Sequence, residues 1–232
     1  MLLRVRAAGQ DPTFASLACD SAVPPLWGGN GYGNSAGACA TDPSICSVGF
    51  QVEKVTSPTT QFALTAGHCL ALVPGWDYGE PAFHRTYEFG TRGTYRLGSE
   101  GDVGLVRVLN SSDISDDVHH DGVRVDVNGT QTSNAPGYHR CFTGIQTANT
   151  SCGVILDDHT SFTCEGFAIS NLIRMEIEII PGDSGGPLYR YVSADNVARA
   201  VGVGSCRVGS VSYHSLVEFV PEAWDVAVSV NP

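Results

Sequence analysis

Charge is scarce in this 232-residue chain: Asp, Glu, Lys and Arg together make up 16% of it, where an ordinary soluble domain carries roughly a quarter. Basic residues are the rarer sign, 13 against 24 acidic, which leaves a net charge of −11. Such a field repels phosphate backbones and anionic lipid headgroups, so nucleic-acid and membrane-surface partners are not expected. No apolar run reaches the ~18 residues of a membrane-crossing helix, and sustained helical periodicity is missing. The C-x-x-C pair that marks many zinc and redox sites is absent as well. The opening Met1-Leu-Leu-Arg-Val-Arg6 lacks the roughly 7–15-residue apolar core of a signal peptide, so an export signal is not visible in this chain.

What is present points to a β protein from an oxidising compartment. Apolar residues reach 42%, enough to bury a core and too many for intrinsic disorder. The 27 Gly and 12 Pro punctuate the chain too often for a helical bundle. Eight cysteines, an even number, read as four disulfides and an extracellular protein, although their spacing leaves 105 pairings open. Residues 1–25 read as an N-terminal extension or pro-region remnant, and Trp27–Asn34 is a Gly-rich entry. Short β-branched or aromatic segments then alternate with turns. They include 47–52, 61–65, 94–97, 102–109, 122–127, 152–156, 172–180, 200–203 and 215–220. This pattern predicts an all-β sandwich or barrel fold, with a short C-terminal helix allowed near Pro221–Trp224. The acidic stretch Asn110–Gly122, with His119 and His120, reads as a solvated loop. It lacks EF-hand spacing, and no metal or cofactor is expected.

Three segments carry chemistry. Thr65-Ala-Gly-His-Cys69 closes an apolar strand with a turn that presents His68. Gly101-Asp-Val-Gly-Leu-Val106 puts Asp102 at the head of a run apolar enough to be buried. Pro181-Gly-Asp-Ser-Gly-Gly-Pro187 holds Ser184 in a tight Gly-rich turn. Acyl transfer needs these three types together, because a serine hydroxyl is a poor nucleophile until an imidazole takes its proton. A buried carboxylate fixes the imidazole tautomer and stabilises the imidazolium. The glycines beside Ser184 let backbone amides converge where a carbonyl oxygen would gain negative charge.

The segments around His68 and Ser184 resemble the signatures of the chymotrypsin-type (trypsin-like) serine endopeptidases. The order His, Asp, Ser, with a spacing of 34 positions from the first to the second and 82 from the second to the third, is similar to the bacterial streptogrisin and alpha-lytic protease branch. Gly28-Gly29, Cys46-Ser-Val-Gly-Phe50, Cys141-Phe-Thr-Gly144, Cys152-Gly-Val154 and Asn171-Leu-Ile-Arg174 extend the likeness over about residues 26–220. It implies two six-stranded antiparallel β-barrels, residues 26–121 and 122–232, with the active site in the cleft between them. It implies a secreted, monomeric enzyme acting on protein or peptide substrates, open to protein inhibitors or its own pro-region.

By position the resemblance makes His68 the general base, Asp102 its orienting carboxylate and Ser184 the nucleophile. The oxyanion hole would be the amides of Gly182 and Ser184, and Ser205 would support Asp102 and open the substrate-pairing strand. Cys46 should pair with Cys69 and Cys141 with Cys152, leaving Cys19–Cys39 and Cys164–Cys206. The sequence departs from the branch in three places. Glu178 stands where a cysteine is usual beside the specificity pocket, and Ser205-Cys-Arg-Val208 replaces a Gly-rich return. Arg140 precedes Cys141, where an arginine normally follows, and is expected to reach Asp183. Glu176 and Glu178 could make the pocket acidic and select basic side chains, unless they face solvent or Arg207 neutralises one. Two rival readings stand: a non-catalytic binding protein or latent precursor on the same scaffold, and an α/β-hydrolase esterase. The second rests on Gly182-x-Ser184-x-Gly186, yet only His214 follows Ser184.

Overall fold

The buried run predicted around Asp102 is the strand Gly101–Val108 (β8), covered at every position except Arg107. Continuous burial of that kind places a strand in the middle of a sheet with both faces occupied. In the computed structural model, which describes residues 24–37, 45–147, 149–164, 166–220 and 224–230, β8 sits between two long antiparallel neighbours. These are Ser57–Thr65 (β5) and Tyr87–Gly98 (β7). Gln51–Lys54 (β4), Pro81–His84 (β6) and Val226–Val228 (β17) complete a six-stranded sheet in the order β17-β4-β5-β8-β7-β6. The short ladder of Gly31–Tyr32 (β2) with Cys46–Ser47 (β3) is tied to β6 by a bridge between Gly33 and Phe83.

The second half builds a closed ring. Its strands are His139–Phe142 (β11), Ser151–Cys164 (β12), Phe167–Met175 (β13), Pro187–Val192 (β14), Val197–Val208 (β15) and Val211–Leu216 (β16). They run in the order β15-β14-β11-β12-β13-β16, and β16 pairs back onto β15, so no edge remains exposed. Three further strands, Leu26–Gly28 (β1), Ile114–His120 (β9) and Val123–Thr130 (β10), extend this sheet through β10 and β15. The β1–β9 and β10–β15 joins are parallel, whereas the ladders within the barrel are antiparallel. The fold is therefore all-β and two-barrelled. The five-residue Gly67–Ala71 (α1) is an α-helix, and Val220 and Trp224 are helical as well; the antiparallel barrels among the described residues are not the helix-flanked sheet of an α/β-hydrolase.

Each barrel has its own core, around Tyr32, Leu70 and Phe89 in the first and Phe142, Ile173 and Leu188 in the second. A third apolar cluster joins them: Phe50, Leu64, Val103 and Leu105 pack with Val118, Tyr189, Val203 and Val226. Fully burying one such side chain contributes about 1.5–3 kcal/mol, so the seam between barrels is a core in its own right. Sheet pairing also crosses the division expected at 121–122 in both directions. Strand β9 joins the sheet of the second barrel, and β17 returns to pair with β4 of the first.

The acidic stretch after Asn110 is not the loop its composition predicts. It forms a 3-10 turn at Ser111–Asp113 and then β9, with His120 only 8% exposed and its Nδ1 2.9 Å from the Tyr189 hydroxyl. Tertiary pairing on both sides of β9 outweighs the loop-like composition. The expected strand 215–220 ends early, turning into a 3-10 helix at Val217–Phe219. Residues 1–23, and Pro221 to Ala223 of the suggested C-terminal helix, lie outside the described residues.

Candidate active site

Asp102 is the second residue of β8, directly across from Leu97 on β7, and is fully buried. Its carboxylate is held from three directions. The His68 amide donates to Oδ1 at 2.7 Å, His68 Nδ1 lies 2.6 Å from Oδ2, and the Ser205 hydroxyl donates to Oδ2 at 2.5 Å. Its own amide donates to the Ser215 hydroxyl at 2.8 Å. Burial alone would raise this carboxyl's pKa, but the charge and hydrogen bonds of His68, with Ser205, bring it below the ordinary value. An ionised carboxylate against Nδ1 requires the proton on that nitrogen, so a neutral His68 ring carries its lone pair on Nε2.

His68 itself sits in α1, the short helix that follows β5. The Cys46–Cys69 disulfide, with Cα atoms 6.2 Å apart, ties that helix to β3. Cys69 Sγ lies 3.9 Å from His68 Nε2 and 3.8 Å from the Ser184 carbonyl oxygen. His68, Ser184 and Ser205 line one cleft of about 720 Å³. A serine–histidine hydrogen bond across such a cleft often tightens in resting enzymes only when substrate arrives. Although Cys46, His68 and Cys69 cluster closely enough to suggest a metal site, both sulfurs are spent in the disulfide, and a thiolate ligand is what such a site would need.

The turn around Ser184 is fixed by backbone geometry. Gly182 has φ +101° and Gly185 φ +85°, conformations open to glycine and costly for other residues. A Cβ on Gly185 would meet Thr65 Oγ1 at 2.1 Å and the Ser47 carbonyl oxygen at 2.4 Å. Ser47 pins the turn from the first barrel. Its hydroxyl donates to the Gly182 carbonyl at 2.9 Å, and its amide donates to the Ser184 carbonyl at 2.7 Å. The Asp183 amide is committed to Ile180 O at 2.9 Å. Among the described residues, the Gly182 and Ser184 amides donate to no other group of the chain.

Asp183 does not meet Arg140. Its carboxylate accepts the amides of Gln146 at 2.8 Å, Thr147 at 3.0 Å and Ile180 at 2.9 Å. Burial raises its pKa despite those three bonds and the charge of Arg207. Arg140 is equally buried but turns to the 133–134 segment, donating to Asn134 Oδ1 and to the carbonyls of Ser133 and His139. The expected ion pair is replaced by backbone donors, which satisfy the carboxylate without a second charge to desolvate.

The acidic pocket is also absent. Met175, Ile177 and Ile179 are buried while Glu176 and Glu178 are exposed, the alternation of an extended segment with one face inward. Neither glutamate lines the cleft, and Glu178 is paired at 3.1 Å with Arg207, which does. Beside Arg207 the wall carries the apolar side chains of Phe162, Ile179, Ile180 and Val208. Cys141 and Cys152 are disulfide-bonded across β11 and β12. Cys164 and Cys206 are brought together as thiols, with a hydrogen bond between them and no covalent bond. Cys19 and Cys39 lie outside the described residues. Ser47 and Ser215 were not singled out by sequence, since a lone serine in a strand carries no signal of a partner more than a hundred residues away.

Two barrels, a cleft, and a buried aspartate holding a histidine beside a Gly-rich serine turn define a chymotrypsin-like serine protease. The chain belongs to that family, in its bacterial streptogrisin branch, and is a serine endopeptidase. It is 31% identical over 176 residues to serine protease 2 of Streptomyces fradiae, covering 72% of this chain and 92% of the relative. Streptogrisin-D of Streptomyces griseus is 27% identical over 192 residues, 78% of this chain. Of that relative's length the chain spans 43%. Thermobifida fusca protease A has a similar fold, with a TM-score of 0.69 over 89% of this chain and 99% of its own, at 24% identity. No protein-family model matches the sequence.

Proposed function

We propose that this protein is an exported endopeptidase that cleaves peptide bonds through an acyl-enzyme formed on Ser184. The observation that carries this reading is the buried Asp102 carboxylate, engaged by both the amide and Nδ1 of His68, a residue that lines the same cleft as Ser184. As the Ser184 oxygen attacks the substrate carbonyl carbon, its proton passes to Nε2, and Asp102 stabilises the imidazolium. The Gly182 and Ser184 amides bind the oxyanion. Collapse of the tetrahedral species expels the amine, which takes the proton from His68. Water then repeats the sequence on the acyl ester and frees Ser184. Ser205 acts one step back, holding Oδ2 of Asp102.

The apolar cleft wall supports substrates with aromatic or aliphatic side chains at the cleaved bond, since an unpaired cation there would lose its hydration without gaining a partner. Disulfides in both barrels support export to an oxidising compartment. A fluorophosphonate probe tests the mechanism: it should label the parent on Ser184 and leave Ser184→Ala unlabelled. A parent that resists the probe while fully folded would overturn it. Phenylalanyl and leucyl chromogenic peptides should be cleaved faster than the arginyl one; an arginyl preference would refute the apolar wall.

A further inference from the structure

Two thiols stand in the cleft wall and have no part in the chemistry above. Cys164 ends β12 and Cys206 follows Ser205 on β15; both line the cleft with His68 and Ser184. Their side chains are hydrogen-bonded neighbours. Cys164 is 7% exposed and packs with Ile169, Leu172 and Tyr213, while Phe162 stacks on Tyr213 with ring centroids 4.2 Å apart.

Strand pairing does not account for this meeting. In the ladder Cys206 is level with Tyr213, Tyr213 with Arg174, and Arg174 with Asp157. Cys164 lies seven positions further along β12 than Asp157. The distal end of the β12–β13 hairpin therefore folds over β15 to bring the thiols together. Among the described residues no backbone hydrogen bond joins that hairpin end to β15 outside the ladder. Side-chain packing holds the two, and a covalent bond there would add a constraint the sheet does not supply.

We propose that Cys164 and Cys206 close to a disulfide that clamps the hairpin end onto β15 and sets the cleft width for an extended peptide; this rests on reading the cleft as the substrate site. The oxidant is a small-molecule disulfide. Cys206, the more exposed of the two, gives up its proton and attacks one sulfur of the oxidant, releasing one small thiol and leaving a mixed disulfide. Cys164 then attacks the Cys206 sulfur, and the second small thiol leaves. Two protein thiols and one small disulfide thus become one protein disulfide and two small thiols. The hydrogen bond to Cys164, then burial, then the charge of nearby Asp102, push the Cys206 thiol pKa up. The attack by Cys206 is accordingly slow, since only the thiolate is a nucleophile. Ser205 stays anchored independently, because Gly204 is bonded to both Gly185 and Gly186. The clamp thus acts on substrate fit more than on the reacting groups, which makes Cys164 a positioning residue.

The test has two readouts. After equilibration with oxidised glutathione, unfolding and alkylation without reductant should leave Cys164 and Cys206 unlabelled, with peptide mapping recovering them as one cross-linked pair. Alkylation of both would overturn the proposal. Cys164→Ser should raise KM for an extended peptide about tenfold and change kcat less than about threefold. An unchanged KM, or equal losses in kcat, would also overturn it. Fluorophosphonate labelling of Ser184 in the same samples reports on the hydrolytic reading separately, so the failure of one is distinguishable from the failure of the other.

Discussion

Acid should unfold this protein through His214 well before most native histidines would matter. His214 lies on β16, fully buried, with Nε2 2.7 Å from the Ser212 hydroxyl, no partner for Nδ1 among the described residues, and the Phe142 ring centroid 5.3 Å away. Burial pushes its pKa from 6.5 down to about 3. The folded protein thus keeps the ring neutral where the unfolded chain protonates it. Stability is unaffected above the unfolded value, and is lost as pH falls from there toward the folded one. Each tenfold difference in proton affinity corresponds to about 1.4 kcal/mol, so the loss is about 3 kcal/mol by pH ~4 and about 5 kcal/mol at its full extent. Carboxylates titrate in the same range, so the measurement is a difference. Urea unfolding of the parent and of His214→Phe with Ser212→Ala, which removes both polar partners, should be run from pH 7 to 4. The double variant should lose about 3 kcal/mol less than the parent over that interval. Parallel stability–pH curves would refute the assignment of a buried neutral imidazole.

Ser184→Ala should abolish turnover without shifting the urea midpoint appreciably. Asp102→Asn should lower kcat by about 10⁴ through the wrong His68 tautomer, and steady-state assays near neutral pH would expose a mistaken carboxylate. Asp183→Asn can keep the Gln146 and Thr147 amides but turns an NH₂ group against the Ile180 amide; it should cost about 1–3 kcal/mol and reduce kcat by loosening the turn before Ser184. Gly185→Ala forces contact with Thr65 and Ser47, so soluble yield and probe labelling should both collapse.

The three chemistry-bearing segments were legible because each is local: a strand end, a buried strand start, and a Gly-rich turn. The barrels followed from the resemblance more than from the strands, since β9 and β17 owe their existence to partners distant in sequence. The solvent-facing alternative for the glutamates is the one the structure realises, and it was legible. Met175, Ile177 and Ile179 alternate with Glu176 and Glu178, and one face of that segment had to be outward. The Arg140 error was not avoidable, because nothing local announces that Asp183 takes three backbone amides in place of a cation. Ser47, Ser205 and Ser215 illustrate the same asymmetry. Only Ser205 had a role that the resemblance implied, while all three act through contacts between halves of the chain.

The return of β17 to β4 sets the order of assembly. Val226 faces Lys54 and Val228 faces Val52, so one border of the N-terminal barrel is supplied by residues that leave the ribosome after the whole C-terminal barrel. Until they arrive, that border offers unpaired amides and carbonyls to any passing strand. Pairings of such long sequence separation close late and raise the topological barrier. Maturation is therefore a concerted event of the full chain, and refolding should be slow even when the finished enzyme is firmly held.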